Sequence, residues 1–246
     1  MIKLGHVRML VVSDLHLGIE HELAEKGVSL PSQIPKIKAK LIELLKKQRV
    51  AQLLILGDVK HNVPVTSWQE WRELPEFFKD LAKLAKIDIV RGNHDGYLEG
   101  MVPREVAIHD PHGMVLGKRR RIGFMHGHTW PAPELLDVEL IISGHNHPAI
   151  EFRDELGGRT VEPIWLRAKL CAKKFPKKLK PFIKRGMPEL LVIPAFSELV
   201  GGAAVNRKIP RELIGPMFKA GAVKLDQAEA YLLDGTFLGR ISQLRK

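Results

Sequence analysis

The chain has 246 residues, 45% of them apolar, which is enough to bury a core of ordinary size and too many for a disordered tail. Lysine and arginine outnumber aspartate and glutamate 39 to 28, a formal charge of +11, so polyanions rather than polycations are the fitting macromolecular partners. One cysteine, Cys171, excludes an intrachain disulfide, and no apolar run is long enough for a secretory leader or a bilayer span, so a cytoplasmic protein with no membrane association is expected.

In chain order, "MLVVSD" (9–14) reads as a strand, and "PKIKAKLIELLKKQR" places Ile37, Leu41, Leu44 and Leu45 on one helical face with lysines opposite. "AQLLILGD" is a second buried strand. Ser67 followed by Glu70 is a capping-box start for the next helix. Trp68, Trp71, Leu74, Phe78 and Leu81 recur there at helical spacing, which predicts that both tryptophans pack in the core. "KIDIVRGN" is the third strand. The βαβαβ order argues for a largely parallel sheet with helices on its face.

Beyond residue 100, short runs separated by Gly, Pro or charges read as mostly β structure: "EVAIHD", "RIGFMHG", "ELIISGH", "AIEFRD", "TVEPIWLRA", "ELLVIPAF", "EAYLLDG" and "FLGRIS". No linker or repeat divides the chain, so residues 1–246 are expected to form a single α/β domain with two packed sheets. "KRRR" (118–121) reads as a solvated hairpin turn. The denser segment from Arg167 to about residue 187 interleaves Leu170, Phe175, Leu179, Phe182 and Ile183 with cations, predicting a folded excursion with a basic face.

The chemistry lies where the strands stop. The apolar runs end in Asp14 and His16, in Asp58 and His61, in Asn93, His94 and Asp95, in His126 and His128, and in His145 and His147. Carboxyl ends of strands in open α/β sheets converge on one crevice, so these groups are expected to meet. Asp14-x-His16 and His145-x-His147, if extended, each point both side chains to one side. Gly57, Gly92 and Gly144 precede the presumed ligands, where a Cβ would block a close approach. Carboxylates, imidazoles and a carboxamide without a thiolate suit Mn, Fe, Zn or Ni in open sites, and five clusters exceed the needs of one ion. Two metals are the natural solution. His6, His21, His109 and His112 lie outside the motifs and read as surface or loop residues.

The order D-x-H, G-D, G-N-H-D, H and G-H-x-H, from Asp14 to His147, resembles the calcineurin-like metallophosphoesterases. "SDLHLGIE", "GVSLP", "LGDVKH", "WLRA" and "PAFSELVGG" are similar to the branch associated with DNA ligase and repair-gene clusters, some members of which are manganese-dependent DNA endonucleases. The resemblance implies a four-layer αββα sandwich of two mixed sheets flanked by helices. It implies a first metal on Asp14, His16 and His147, a second on Asn93, His126 and His145, and Asp58 bridging both. It also implies His94 at the reacting phosphoryl group, oriented by Asp95. His61 is left with two readings, a phosphate contact or a hydrogen bond to a ligand, and Arg167 and Lys169 are further substrate-binding candidates.

The expected activity is therefore metal-assisted hydrolysis of a phosphodiester, with two divalent cations, manganese favoured, activating water for in-line attack. The positive charge and the resemblance favour single-stranded DNA as substrate and repair proteins as partners. Small phosphoesters or cyclic nucleotides are the alternative substrates. A metal-depleted scaffold, as in the retromer subunit of this fold, is the third reading.

Overall fold

The computed structural model describes residues 1–207 and 215–245. Five strands, β1 (Ile2–Leu4), β2 (Val7–Val12), β3 (Gln52–Leu56), β4 (Lys86–Val90) and β5 (Ala107–His109), form the first sheet in the order 1-2-3-4-5. From β2 to β5 they are parallel, and β1 is antiparallel at the edge. Helices α1 (Ile19–Glu25) and α2 (Ile34–Lys47) follow β2, and α3 (Trp68–Ala82) follows β3. Right-handed crossovers between neighbouring parallel strands put their helices on one face.

That arrangement explains the nearly unbroken apolar runs of β2, β3 and β4. Leu10, Val12, Leu53, Ile55, Ile87 and Ile89 point to the helices, while Met9, Leu54, Leu56 and Val90 point away from them. The second set meets Ile122, Phe124, Ile142 and Ile193 of another sheet, so both faces are dry. This sheet contains β6 (Met114–Leu116), β7 (Ile122–Met125) and β8 (Leu140–Ser143). A hairpin, β9 (Pro148–Arg153) and β10 (Arg159–Pro163), intervenes, and the sheet resumes with β11 (Trp165–Lys169) and β12 (Glu189–Val192). After the short β13 (Ala203–Ala204), it is completed by β14 (Glu229–Tyr231) and β15 (Phe237–Arg240). The order is 15-14-11-12-8-7-6, with β7, β8 and β12 parallel.

The outer face of the second sheet is covered mainly by 3₁₀ turns at Pro133–Asp137 and Lys177–Phe182 and by the one-turn helices α4 (Pro216–Lys219) and α5 (Ile241–Leu244). The protein is thus a mixed α/β sandwich of two facing sheets with helical layers outside. Two features depart from the sequence pattern. "TVEPIWLRA" is not one strand: β10 pairs with β9 in a third, three-stranded sheet with β13, and β11 returns to the second sheet. The cause is that β9 leaves the main sheet directly after His147, and its hairpin partner must follow it. Among the described residues no helix is long and apolar enough to cross a membrane.

Of the basic segment from Arg167, the first three residues belong to β11 and the rest follows it. "KRRR" is an exposed turn joining the antiparallel β6 and β7. In the later segment Leu170, Phe175 and Leu179 are buried while the lysines between them face outward, although Phe182 stays 42% exposed. The tryptophans of α3 do not fold as read: Trp68 is 72% and Trp71 47% exposed. The buried stripe is Leu74, Phe77, Phe78 and Leu81. At 100° per residue Trp68 lies about 120° round the helix from Leu74, and the inward position of the first turn is taken by Glu70, fully buried.

Candidate metal centre

Strands β2, β3 and β4 of one sheet and β7 and β8 of the other end at the same edge of the sandwich. Each then delivers a polar side chain. Asp14, His16 and His147 bring ligand atoms within 4.8 Å of one another, and so do Asp58, His126 and His145. The groups share a wall: Asp58 Oδ2 is 3.3 Å from His126 Nε2 and 3.6 Å from His16 Nε2. Asn93 Oδ1 lies 3.2 Å from His126 Nε2. A third set of His16, His61 and His94 shares only His16 and has no carboxylate.

The backbone at these ligands is left-handed rather than extended. Asp14, His16, Asp58, His145 and His147 have φ between 37° and 67°, five of the seven such non-glycine residues described. The extended i, i+2 geometry therefore does not apply to either pair: Asp14 and His16 stay in one group, while His145 and His147 part. His147 joins Asp14 and His16, while His145 joins His126. Turns this tight need small neighbours. A Cβ on Gly92 would fall 2.2 Å from Asp58 N and Oδ1, and one on Gly144 would fall 1.7 Å from Ser13 Oγ. Gly57 has φ 75° and would meet the His126 ring at 2.6 Å.

Hydrogen bonds orient the donors. His126 Nδ1–H donates to the Leu56 carbonyl at 2.7 Å, which leaves Nε2 to face the crevice. The His145 N–H donates to Asp14 at 3.1 Å and the His94 N–H donates to Asp58 at 2.9 Å, leaving each carboxylate's other lone pairs inward. Ser13 Oγ donates to Leu56 O and ties β2 to β3. His16 Nε2 is buried with no hydrogen-bond partner among the described residues. A buried orphan nitrogen facing two carboxylates fits a cation.

The electrostatics agree. Burial pushes the His16 and His145 imidazoles down to about 3, so both are neutral donors that could take a cation. Burial opposes ionisation of Asp14, yet His147 and His126 hold its carboxyl at about 2. Asp58 is likewise depressed, against its burial, chiefly by His126. Burial disfavours a charged His126, but Asp58 and Asp14 together raise it to about 9. The carboxylates draw in positive charge, a role that divalent cations fill.

The neighbouring residues have distinct places. His94 lies with Nε2 4.0 Å from Asp58 Oδ2, and its Nδ1–H donates to the His61 carbonyl at 2.5 Å. Asp95 does not orient that ring: its oxygens accept from Val59 N at 2.8 Å and Gly92 N at 2.8 Å. It closes the turns beneath Asp58, and burial with the charge of Asp58 pushes its carboxyl up to about 6. His61 has its Nδ1 3.0 Å from His16 Nδ1 and its Nε2 2.5 Å from Glu22 Oε2, and its ring stacks on His94 at 5.5 Å between centroids. His128 packs beside His126 and His145, and burial lowers it to about 4.

Arg167 and Lys169 stand apart from the cluster. In the register of the second sheet Lys169 is opposite Glu189, which is opposite Leu140 at the start of β8, whereas His145 follows the end of that strand. Arg167 pairs with Glu189 at 2.7 Å and with Glu229 at 3.8 Å. Charge density singled them out, and charge density carries no topology.

Two acids escaped the sequence reading. Glu22 braces His61 across 39 positions, with no spacing signal to announce it. Glu70 was legible as a cap, but the same carboxylate also accepts His61 N–H at 3.1 Å and Asn62 N–H at 3.0 Å. A groove of about 420 Å³ adjoins His147, walled by Lys40, Pro163, Phe196, Val200, Gly202 and Leu233 among others.

Residues 7–163 match the model of the calcineurin-like phosphoesterase superfamily domain. The first of three similar solved structures shares the fold. A nuclease MPE from Pseudomonas putida is 23% identical, over 92% of this chain and 84% of that one, with a TM-score of 0.54. YfcE, a phosphoesterase from E. coli, is 24% identical over 60% and 74%, with a TM-score of 0.39. Vps29 from Entamoeba histolytica, in complex with zinc, is 18% identical over 79% of each chain, with a TM-score of 0.33. The match spans well over half the chain and contains every donor of the two groups: this protein belongs to the calcineurin-like phosphoesterase superfamily.

Proposed function

We propose that this chain is a phosphodiesterase that uses two divalent cations, manganese favoured, to cleave single-stranded nucleic acid, most fittingly DNA during repair. The observation that carries the reading is the pair of donor groups, Asp14 with His16 and His147, and Asp58 with His126 and His145, divided by one carboxylate. Together with Asn93 they would hold the cations, which when bound supply Lewis-acid polarisation of a phosphoryl group and acidify water. The chain's own contribution is geometry and a proton. With Nδ1–H committed to His61 O, a proton on His94 Nε2 belongs to the imidazolium form. That group can neutralise a phosphoryl oxygen and then release its proton to the leaving oxygen. Glu22 and His61 hold the His16 ring in place, and Asp95 keeps the Asp58 turn closed.

The net charge of +11 favours a polyanionic substrate, and the Pseudomonas putida neighbour, a nuclease, points the same way. The test is to incubate manganese-loaded protein with circular and linear single-stranded DNA and with bis(p-nitrophenyl) phosphate, beside Asp58→Ala. Cutting of circles by the wild type alone supports an internal nuclease. Turnover of the small diester with intact DNA would move the substrate class to small phosphoesters.

A further inference from the structure

Three aromatic rings stand open on segments that adjoin the metal centre. Trp68 and Tyr97 are each 72% exposed and Trp71 is 47% exposed. They belong to two segments that lead straight out of the site. The first is the loop after Asp58. Its His61 carbonyl holds His94, and its His61 and Asn62 amides are gripped by Glu70, which also accepts Ser67 N–H at 2.7 Å. The turn of α3 that carries Trp68 and Trp71 is therefore fixed to the wall of the site. The second segment runs from His94 through Tyr97, itself at φ 62°, to Gly100. A Cβ on Gly100 would lie 3.0 Å from Trp71 Cη2, so the Trp71 ring rests on this segment. On the other side, the guanidinium of Arg72, which also pairs with Glu73 at 2.8 Å, lies over the Trp68 ring at 4.4 Å and puts a cation beside it.

We propose that Trp68, Trp71 and Tyr97 form a base-stacking rim that holds unpaired nucleotides of a single-stranded substrate beside the metal centre. The proposal rests on the nucleic-acid reading above and deepens it. Aromatic faces stack on any base, and unpaired bases offer faces that a duplex hides. Arg72 beside the rings and the charge of +11 suit the phosphates between the bases. An apolar partner, a second copy of the chain or a lipid surface would instead cover Arg72, Asn62 and the mouth holding His94.

The experiment compares wild type, Trp68→Ala, Trp71→Ala and, as a remote control, Leu156→Ala, which alters a 98% exposed residue. The probes are dT15 and an abasic polymer of the same length. Binding is read by tryptophan emission and by anisotropy of the labelled probe in EDTA, and cleavage by KM and kcat of the manganese-loaded protein. Each tryptophan substitution is expected to raise Kd and KM for dT15 about tenfold, while affinity for the abasic polymer does not change. Equal affinity of wild type and variants for dT15 overturns the rim but leaves the nuclease reading intact if dT15 is still cut. A loss of self-association or vesicle binding in the variants, with dT15 affinity unchanged, also overturns it. Failure of the wild type to bind or cut dT15 while it turns over bis(p-nitrophenyl) phosphate removes the nucleic-acid reading and the rim together.

Discussion

Side chains at the ends of five strands make up the candidate metal centre, and several pay for their place with backbone strain. A non-glycine residue in the left-handed region costs about 1–3 kcal/mol, and such residues gather at functional sites. Here Asp14, His16, Asp58, His145 and His147 share that conformation. Asp58→Ala is expected to abolish diester hydrolysis and to lower bound metal, read by elemental analysis, because both donor groups lean on it. His94→Ala keeps the backbone N–H that Asp58 accepts; kcat should fall roughly 10²–10⁴-fold with metal content retained, the range for a lost general acid. Gly92→Ala forces a methyl group onto Asp58 at 2.2 Å and should destabilise the fold by about 1–3 kcal/mol in urea titrations, with weaker metal binding. The donor types were legible because each ends an apolar run. The partners of His61 and Asp95 were not, since Glu22 reaches across from α1 and Val59 and Gly92 stand in turns, contacts that no periodicity describes.

At the scale of elements, α3 shows how one residue can serve two ends. The capping box at Ser67 and Glu70 was readable from its spacing and is present. Ser67→Ala should cost about 1 kcal/mol of stability, the usual worth of a cap. Glu70→Ala should cost more and slow diester hydrolysis as well, because it frees the loop that carries His61. Strand β4 carries a pH-sensitive joint between strands. Asp88 is buried, which opposes its ionisation, but hydrogen bonds from His109, Gln52 and Lys86 bring its carboxyl below the usual 3.8. The stability it contributes is complete above about pH 4 and disappears as pH falls through the lowered value. Asp88→Asn should therefore weaken the protein near neutral pH and flatten its acid limb, as measured by urea midpoints against pH. The same contact gives His109 a structural task.

For the molecule as a whole, charge and bound cations set the behaviour. Manganese at about 100 times its Kd should stabilise the folded state by about 2.7 kcal/mol, raising Tm by roughly 5–10 °C, and EDTA should reverse it. Affinity for single-stranded DNA should fall with salt at a log–log slope of about −0.7 per phosphate neutralised, while small-diester turnover stays nearly flat.

What the sequence determined by itself was local and chemical: apolar runs that make strands, donors that end them, glycines that let the turns pass, and a cap that starts a helix. Those features depend on neighbours within a few residues, so they survive in a one-dimensional reading. Only the tertiary structure brought the donors into two groups, with His145 and His147 in different ones, and set Lys169 at the far end of the second sheet. It also decided that Trp68 and Trp71 face water. Those outcomes follow from strand register, crossover direction and the burial of Glu70, which tie together residues tens of positions apart and leave no period in the chain.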